Sequence, residues 1–201
     1  NWGINMKIGV FGGTFNPVHS GHLSLAKSLI GLNLLDKILF VVSARPPHKN
    51  EVMPSAKQRY DMVCLALKGS DTLIPCDAEL KRSGKSYTVE TMPALRKEFP
   101  NDELYFITGA DMFIDIPNWY MPEKLFQNEK LIVADRGNAF HEEKYILKKE
   151  EIIKTYRPHV QFAEIETPDI SSSQIRSNAE KYKNFLPEAV YDYIKRNKLY
   201  E

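Results

Sequence analysis

Cysteine is scarce: Cys64 and Cys76 are the only two, and their separation makes neither a CxxC pair nor a disulfide framework. Both are expected to be buried reduced thiols. No apolar run approaches the ~20 residues of a membrane span, and no basic segment leads into an apolar signal core, so the expectation is a cytoplasmic protein without a membrane partner. An excess of one charge is also missing. Lys and Arg number 27 against 26 Asp and Glu, a net charge of +1, which gives no electrostatic reason for a nucleic-acid partner. Any polyanion site must therefore be local. The glycines do not form G-x-G-x-x-G, since Gly9, Gly12 and Gly13 have the wrong spacing, and a nicotinamide-reducing enzyme is not indicated. Gly84-Lys85-Ser86 ends like a P-loop, yet Glu79 stands where its first glycine belongs. Repeats of fixed period and low-complexity segments are absent as well.

What is present is an ordinary globular composition, 43% hydrophobic and 26% charged, in 201 residues, enough for one sizeable core and short for two. A single domain over 6–201 is expected, with a core over 6–165 and a helical C-terminal part over 166–201. Residues 1–5 precede Met6 and carry no functional weight. Short β-branched or aromatic runs at 7–11, 37–42, 72–74, 104–108, 130–134 and 160–163 alternate with longer amphipathic ones. This predicts an α/β fold, Rossmann-like and doubly wound, with a mostly parallel sheet and helices on both faces. A first helix is expected over 21–32, another from Ser55, where Ser55-x-x-Gln58 has the form of a capping box, and a solvated helix or excursion over 141–156. The loop 43–54 is a candidate ligand flap.

A doubly wound sheet binds its ligand beyond the carboxyl ends of its strands. The segments just after strands are 12–22, 45–49, 109–111 and 135–137, and they are expected to converge on one crevice. The first is the most informative: Gly12-Gly13-Thr14-Phe15-Asn16-Pro17-Val18-His19-Ser20-Gly21-His22. Two glycines admit a ligand close to the backbone, Pro17 stiffens the turn, and His19 and His22 share one helix face. Backbone N–H groups at that helix start suit a phosphate. Core imidazoles or a zinc pair are the competing readings of the histidines, but a zinc site needs three or four ligands and no further Cys or His is placed to supply them. Ile170-Ser171-Ser172-Ser173-Gln174-Ile175-Arg176 offers hydroxyls, free N–H groups and an arginine one turn later, either for a polyphosphate or as a serine-rich helix cap.

The eleven-residue run resembles the HxGH signature of the nucleotidylyltransferases, and the second segment resembles their ISSTxIR signature. Arg45-Pro46-Pro47-His48-Lys49, Glu79-Leu80-Lys81-Arg82 with Ser86 to Thr91, Gly109-Ala110-Asp111 with Trp119, and the ending from Leu186-Pro187 to Tyr200 are similar to bacterial nicotinate mononucleotide adenylyltransferases. The resemblance spans the chain from Met6. Asn16 stands where many members carry Asp, Ser173 where the signature has Thr, and Pro93 lies one turn into the helix expected from Thr88. It implies joining of ATP to nicotinate mononucleotide, giving nicotinic acid adenine dinucleotide and pyrophosphate in NAD biosynthesis, with both nucleotides as partners.

His19, His22 and Arg176 are the implied catalytic groups. The implied ATP site adds Gly12, Gly13, Thr14, Phe15, Gly109, Asp111, Arg136, Ile170 and Ser172. For the acceptor the resemblance implies Asn16, Lys49, backbone N–H groups around Thr88, and Trp119 stacked on the pyridine ring; residue chemistry alone reads Trp119 equally well as core. Mg²⁺ is implied as the cofactor, bridging phosphates without protein side-chain ligands. The oligomeric state stays open, a homo-oligomer included. A non-catalytic nucleotide sensor, or a transferase with another phosphate acceptor, is the alternative.

Overall fold

The computed structural model describes residues 5–45, 54–136 and 139–201. Six strands form one sheet: β1 (Lys7–Gly13), β2 (Lys37–Val42), β3 (Leu73–Cys76), β4 (Glu103–Gly109), β5 (Lys130–Asp135) and β6 (His159–Glu164). Their order is β3-β2-β1-β4-β5-β6, and every pairing is parallel. A parallel sheet has to be covered on both faces, and β2, β4 and β5 are mostly apolar for that reason, while the edge strand β6 carries His159, Gln161 and Glu164 and is largely exposed. The order reverses between β1 and β4, which places the switch-point crevice directly after β1.

The helices are α1 (Ser20–Gly31), α2 (Ala56–Ala66), α3 (Thr88–Glu98), α4 (Ala110–Phe113), α5 (Pro122–Asn128), α6 (Glu143–Tyr156), α7 (Ser172–Ser177) and α8 (Glu188–Arg196). They divide between the two faces. On one, Ile38, Phe40 and Val42 of β2 and Ile107 of β4 pack with Leu25 and Leu29 of α1, Met62 and Val63 of α2, Ile175 of α7, and Val190 and Ile194 of α8. On the other, Leu39 and Val41 of β2 and Phe106 of β4 pack with Met92 and Leu95 of α3, Phe113 of α4, Phe126 of α5, and Tyr145 and Ile152 of α6. Alternate residues of one strand thus feed opposite layers.

Three local expectations change. Strand β3 runs on through Pro75 to Cys76; it is an edge strand, where a proline without an N–H is tolerated. Helix α3 does start at Thr88, and Pro93 sits inside it, removing the N–H that would have reached back to Val89. Cys64 and Cys76 are free thiols but only half-buried, and burial raises the pKa of both. The helix over 143–156 is amphipathic, with Tyr145 and Ile152 turned into the core and its Lys and Glu residues largely outward.

Candidate active site

The two histidines cap their own helix. His19 is the N-cap residue of α1; its Nδ1 accepts from the Gly21 N–H at 3.1 Å, while Nδ1 of His22 accepts from the His19 N–H at 3.2 Å. Reciprocal bonds of this form normally use a Ser or Thr with a Glu or Gln, and here two imidazoles replace them. Their rings lie 3.8 Å apart by centroid. Gly21 permits this: a Cβ there would meet the Cε1 and Nδ1 atoms of His19 at 3.0 Å. A backbone N–H can only donate, so each Nδ1 is unprotonated and the proton of each neutral ring sits on Nε2.

Both rings are neutral at physiological pH. Burial, then the Arg136 guanidinium, lowers the His19 pKa to about 4. Burial, then His19 and Arg136, holds His22 well below the usual imidazole range. The pair therefore offers two uncharged Nε2–H donors, whereas neither ring has a free Nδ1 with which to take up a proton.

The turn between β1 and α1 is strained and tightly held. Phe15 has φ +47°, a left-handed conformation rare for an aromatic residue, and its buried ring packs edge-on against Phe11 and His22. Arg176 Nη1 donates to the Asn16 carbonyl at 2.8 Å and its Nη2 to Ser173 Oγ at 3.0 Å. Ser172 Oγ donates to the Pro17 carbonyl at 3.0 Å. The serine-rich cap forms too, Ser171 with Gln174. Ile170 is buried beside Gly21, its Cγ2 3.4 Å from where a Cβ at Gly21 would stand. The two signature segments thus meet, and much of what the second contributes is directed at the first one's backbone.

Two further residues hold this turn that the sequence reading passed over. Tyr200 donates its hydroxyl to Asn16 Oδ1 at 2.6 Å, and Arg59 reaches the Thr14 carbonyl from α2. Asn16 itself is buried.

Of the other expected site residues, Gly109 ends β4 and caps α4, with the exposed Asp111 folded back so that its Oδ1 would stand 2.8 Å from a Cβ at Gly109. Arg136 follows β5 and acts electrostatically on both histidines, which brings it to the same crevice. Thr88 is the first residue of α3, whose N-cap Tyr87 makes no side-chain cap bond. Trp119 lies half-exposed, its indole N–H donating to Asp115 at 3.1 Å and its ring edge against Phe106. Tyr87 and Tyr120 stack at 4.5 Å between centroids, so the open start of α3 and the Trp119 segment are neighbours. Ser86 and Arg45 exchange two hydrogen bonds, joining the approach to α3 to the segment after β2. Lys49, with most of the expected flap, lies outside the described residues.

The cytidylyltransferase-like family model matches residues 10–178. A Clostridium tetani protein named "Probable nicotinate-nucleotide adenylyltransferase" is 38% identical over 198 residues, covering 96% of this chain and 98% of its own. The chain belongs to this family. A Thermus thermophilus member of the same name is also 38% identical, over 97% of this chain and 100% of its own. The fold is shared further out: Plasmodium falciparum nicotinic acid mononucleotide adenylyltransferase, solved in complex with NaAD, superposes with a TM-score of 0.77 at 22% identity, over 98% of both chains.

No three His, Cys, Asp or Glu side chains come together to hold a metal ion among the described residues. No helix among them is long and apolar enough to cross a membrane.

Proposed function

We propose that this member of the family transfers the adenylyl group of ATP to nicotinate mononucleotide, giving nicotinic acid adenine dinucleotide and pyrophosphate in cytoplasmic NAD biosynthesis. The observation that supports the proposal is the mutual capping of His19 and His22 at the helix start after β1, beside the sheet's switch point, which leaves two neutral imidazoles each with an Nε2–H to donate.

In this reaction a phosphate oxygen of the mononucleotide attacks the α-phosphorus of ATP, and the bond from that phosphorus to the bridging oxygen breaks as pyrophosphate leaves. The attacking oxygen is already an anion, so no base is required. The histidines fit that need because their Nδ1 atoms are engaged by backbone N–H groups, which leaves each neutral ring its Nε2–H as a donor and no free nitrogen to act as a base. Catalysis rests on alignment and on donors placed where charge develops.

In the proposal His19, His22 and Arg176 act on the triphosphate, along a path lined by Gly12, Gly13, Thr14, Phe15, Ile170 and Ser172, with Arg136 adding positive charge. Gly109 and Asp111 meet the ribose. Asn16, from its bonded position, and Lys49 serve the acceptor phosphate. The N–H groups at the open start of α3, around Thr88, take the pyridine carboxylate, and Trp119 stacks on the ring. Desolvated N–H donors reject a carboxamide turned the wrong way, which gives the acid its preference. In this reading Mg²⁺ would come with the nucleotide and would supply positive charge to its phosphates; among the described residues no three His, Cys, Asp or Glu side chains stand together to hold it.

Pyrophosphate release from ATP and Mg²⁺ is to be measured with nicotinate mononucleotide, nicotinamide mononucleotide and phosphopantetheine. Strong preference for the acid is the expected result. Equal use of acid and amide refutes the carboxylate site, and inactivity with all three refutes the reaction.

A further inference from the structure

Arg59 is 0% exposed and heads the fully buried side chains in size. A buried guanidinium ordinarily meets a carboxylate. Among the described residues no carboxylate lies within ion-pair distance of this one. Its acceptors are three backbone carbonyls: Nη1 donates to Thr14 and to Ser43, each at 2.8 Å, and Nε donates to Pro54 at 3.1 Å. The remaining nitrogen, Nη2, is buried without a hydrogen-bond partner among the described residues. Burial lowers the pKa to about 10, which leaves the group charged at neutral pH.

The three carbonyls belong to two segments at the mouth of the crevice. Thr14 lies in the turn after β1, while Ser43 and Pro54 flank the loop between β2 and α2. The same segments are joined above the guanidinium by the Ser43 N–H, which donates to the Gly13 carbonyl at 2.8 Å. In a trans peptide the C=O and the following N–H point in opposite directions. Turning the Thr14 and Ser43 carbonyls inward onto Arg59 therefore turns the Phe15 and Ala44 N–H groups outward. Neither of those N–H groups has an acceptor among the described residues.

We propose that Arg59 is a positioning residue: it orients the Thr14–Phe15 and Ser43–Ala44 peptides so that their N–H groups donate to phosphate oxygens of the nucleotides, with its charge, which meets no carboxylate among the described residues, lying beneath them. The inference rests on the nucleotide reading above. It gives the arginine a task that a neutral buried side chain of similar volume cannot perform, and it makes the bound polyanion the missing counter-charge.

Arg59→Met removes the donors and the charge at similar volume, and Arg59→Lys keeps the charge but not the three-way grip. For folded Arg59→Met, kcat/KM is expected to fall on the order of 10²-fold, with KM raised for both substrates. A purely structural role would lower the active fraction and leave KM unchanged. Arg59→Lys should recover part of the ATP affinity but not kcat. Folded Arg59→Met with both KM values and kcat within about twofold of the parent overturns the proposal. If Arg59→Met does not fold, Arg59→Lys decides by the same standard. Calorimetric binding of a non-hydrolysable ATP analogue separates the two readings: if the parent binds it but makes no dinucleotide, the reaction is refuted, while weaker binding by the variants still supports Arg59 and equal binding refutes it.

Discussion

Acidification is the perturbation to which the histidine pair responds most directly. His19 is 2% exposed and has a pKa of about 4, whereas a histidine in an unfolded chain takes up its proton near pH 6.5. Between those values the unfolded chain binds more protons than the folded one. The stability that comes from keeping His19 neutral is thus complete above about pH 6.5 and is lost as pH falls toward about 4. For one such group the loss is about 2 kcal/mol from pH 7 to 5, and about 3 kcal/mol once pH is below both values. His22 is shifted in the same direction and adds to it. Urea unfolding of the parent and of His19→Asn at the two pH values reads the His19 part together with its effect on His22, because asparagine retains an acceptor for the cap while removing the imidazole that helps lower the His22 pKa. The parent should lose about 2 kcal/mol more than the variant between pH 7 and 5. Equal losses in the two proteins would refute the neutral, buried pair. Nitrogen NMR of the folded parent at pH 6.5 tests the tautomer independently: both rings should carry hydrogen on Nε2 alone, and an imidazolium signal from either would sink the assignment.

Two other substitutions probe the crevice from opposite sides. Gly21→Ala would ordinarily stabilise a helix by about 0.5–1 kcal/mol, but the added Cβ would lie 3.0 Å from the His19 ring; it should lower both the thermal midpoint and kcat/KM, and a stabilised, fully active variant would show that the ring is not confined. Thr88→Pro deletes the first N–H of α3 at a position where proline is accepted, preceded by Tyr87 at φ −96°, ψ 128°, which suits a residue before proline; KM for nicotinate mononucleotide should rise on the order of tenfold while KM for ATP stays, and an unchanged acceptor KM would remove that N–H from the site.

Much of the fold was legible because its determinants are local. Apolar runs marked all six strands, and the capping box at Ser55 follows from residues three apart, whereas the matching box of Ser171 with Gln174 emerged only from the structure. The H-x-G-H spacing likewise put the two histidines on one turn. What it could not give was their use as each other's cap, which depends on the backbone path after Pro17 and on the missing side chain at Gly21. Arg59 left a weaker trace, a charge three and four positions before the buried Met62 and Val63 and so on the apolar stripe of α2. Its main acceptors lie 45 and 16 residues away, and the partner of Tyr200 lies 184 away, separations over which composition and periodicity carry no information. The Tyr87–Tyr120 stack is hidden for the same reason. Pro75 misled because a proline argues against a strand unless the strand is known to be an edge.

The division of the core into two layers gives the histidine pair and Trp119 different supports. The histidine pair and the Arg176 segment are carried by α1 and α7, on one face of the sheet, whereas the open end of α3 and Trp119 rest on the other. A packing change confined to α3 and α5 is expected to reach the Trp119 end first, whereas α4, with Gly109 and Asp111 proposed for the ATP ribose, ties the same layer to the nucleotide. If Trp119 does hold the pyridine ring, drift in that one layer could alter the ring's surroundings while the mutual cap of the two histidines, on the far side of the sheet, stays as it is.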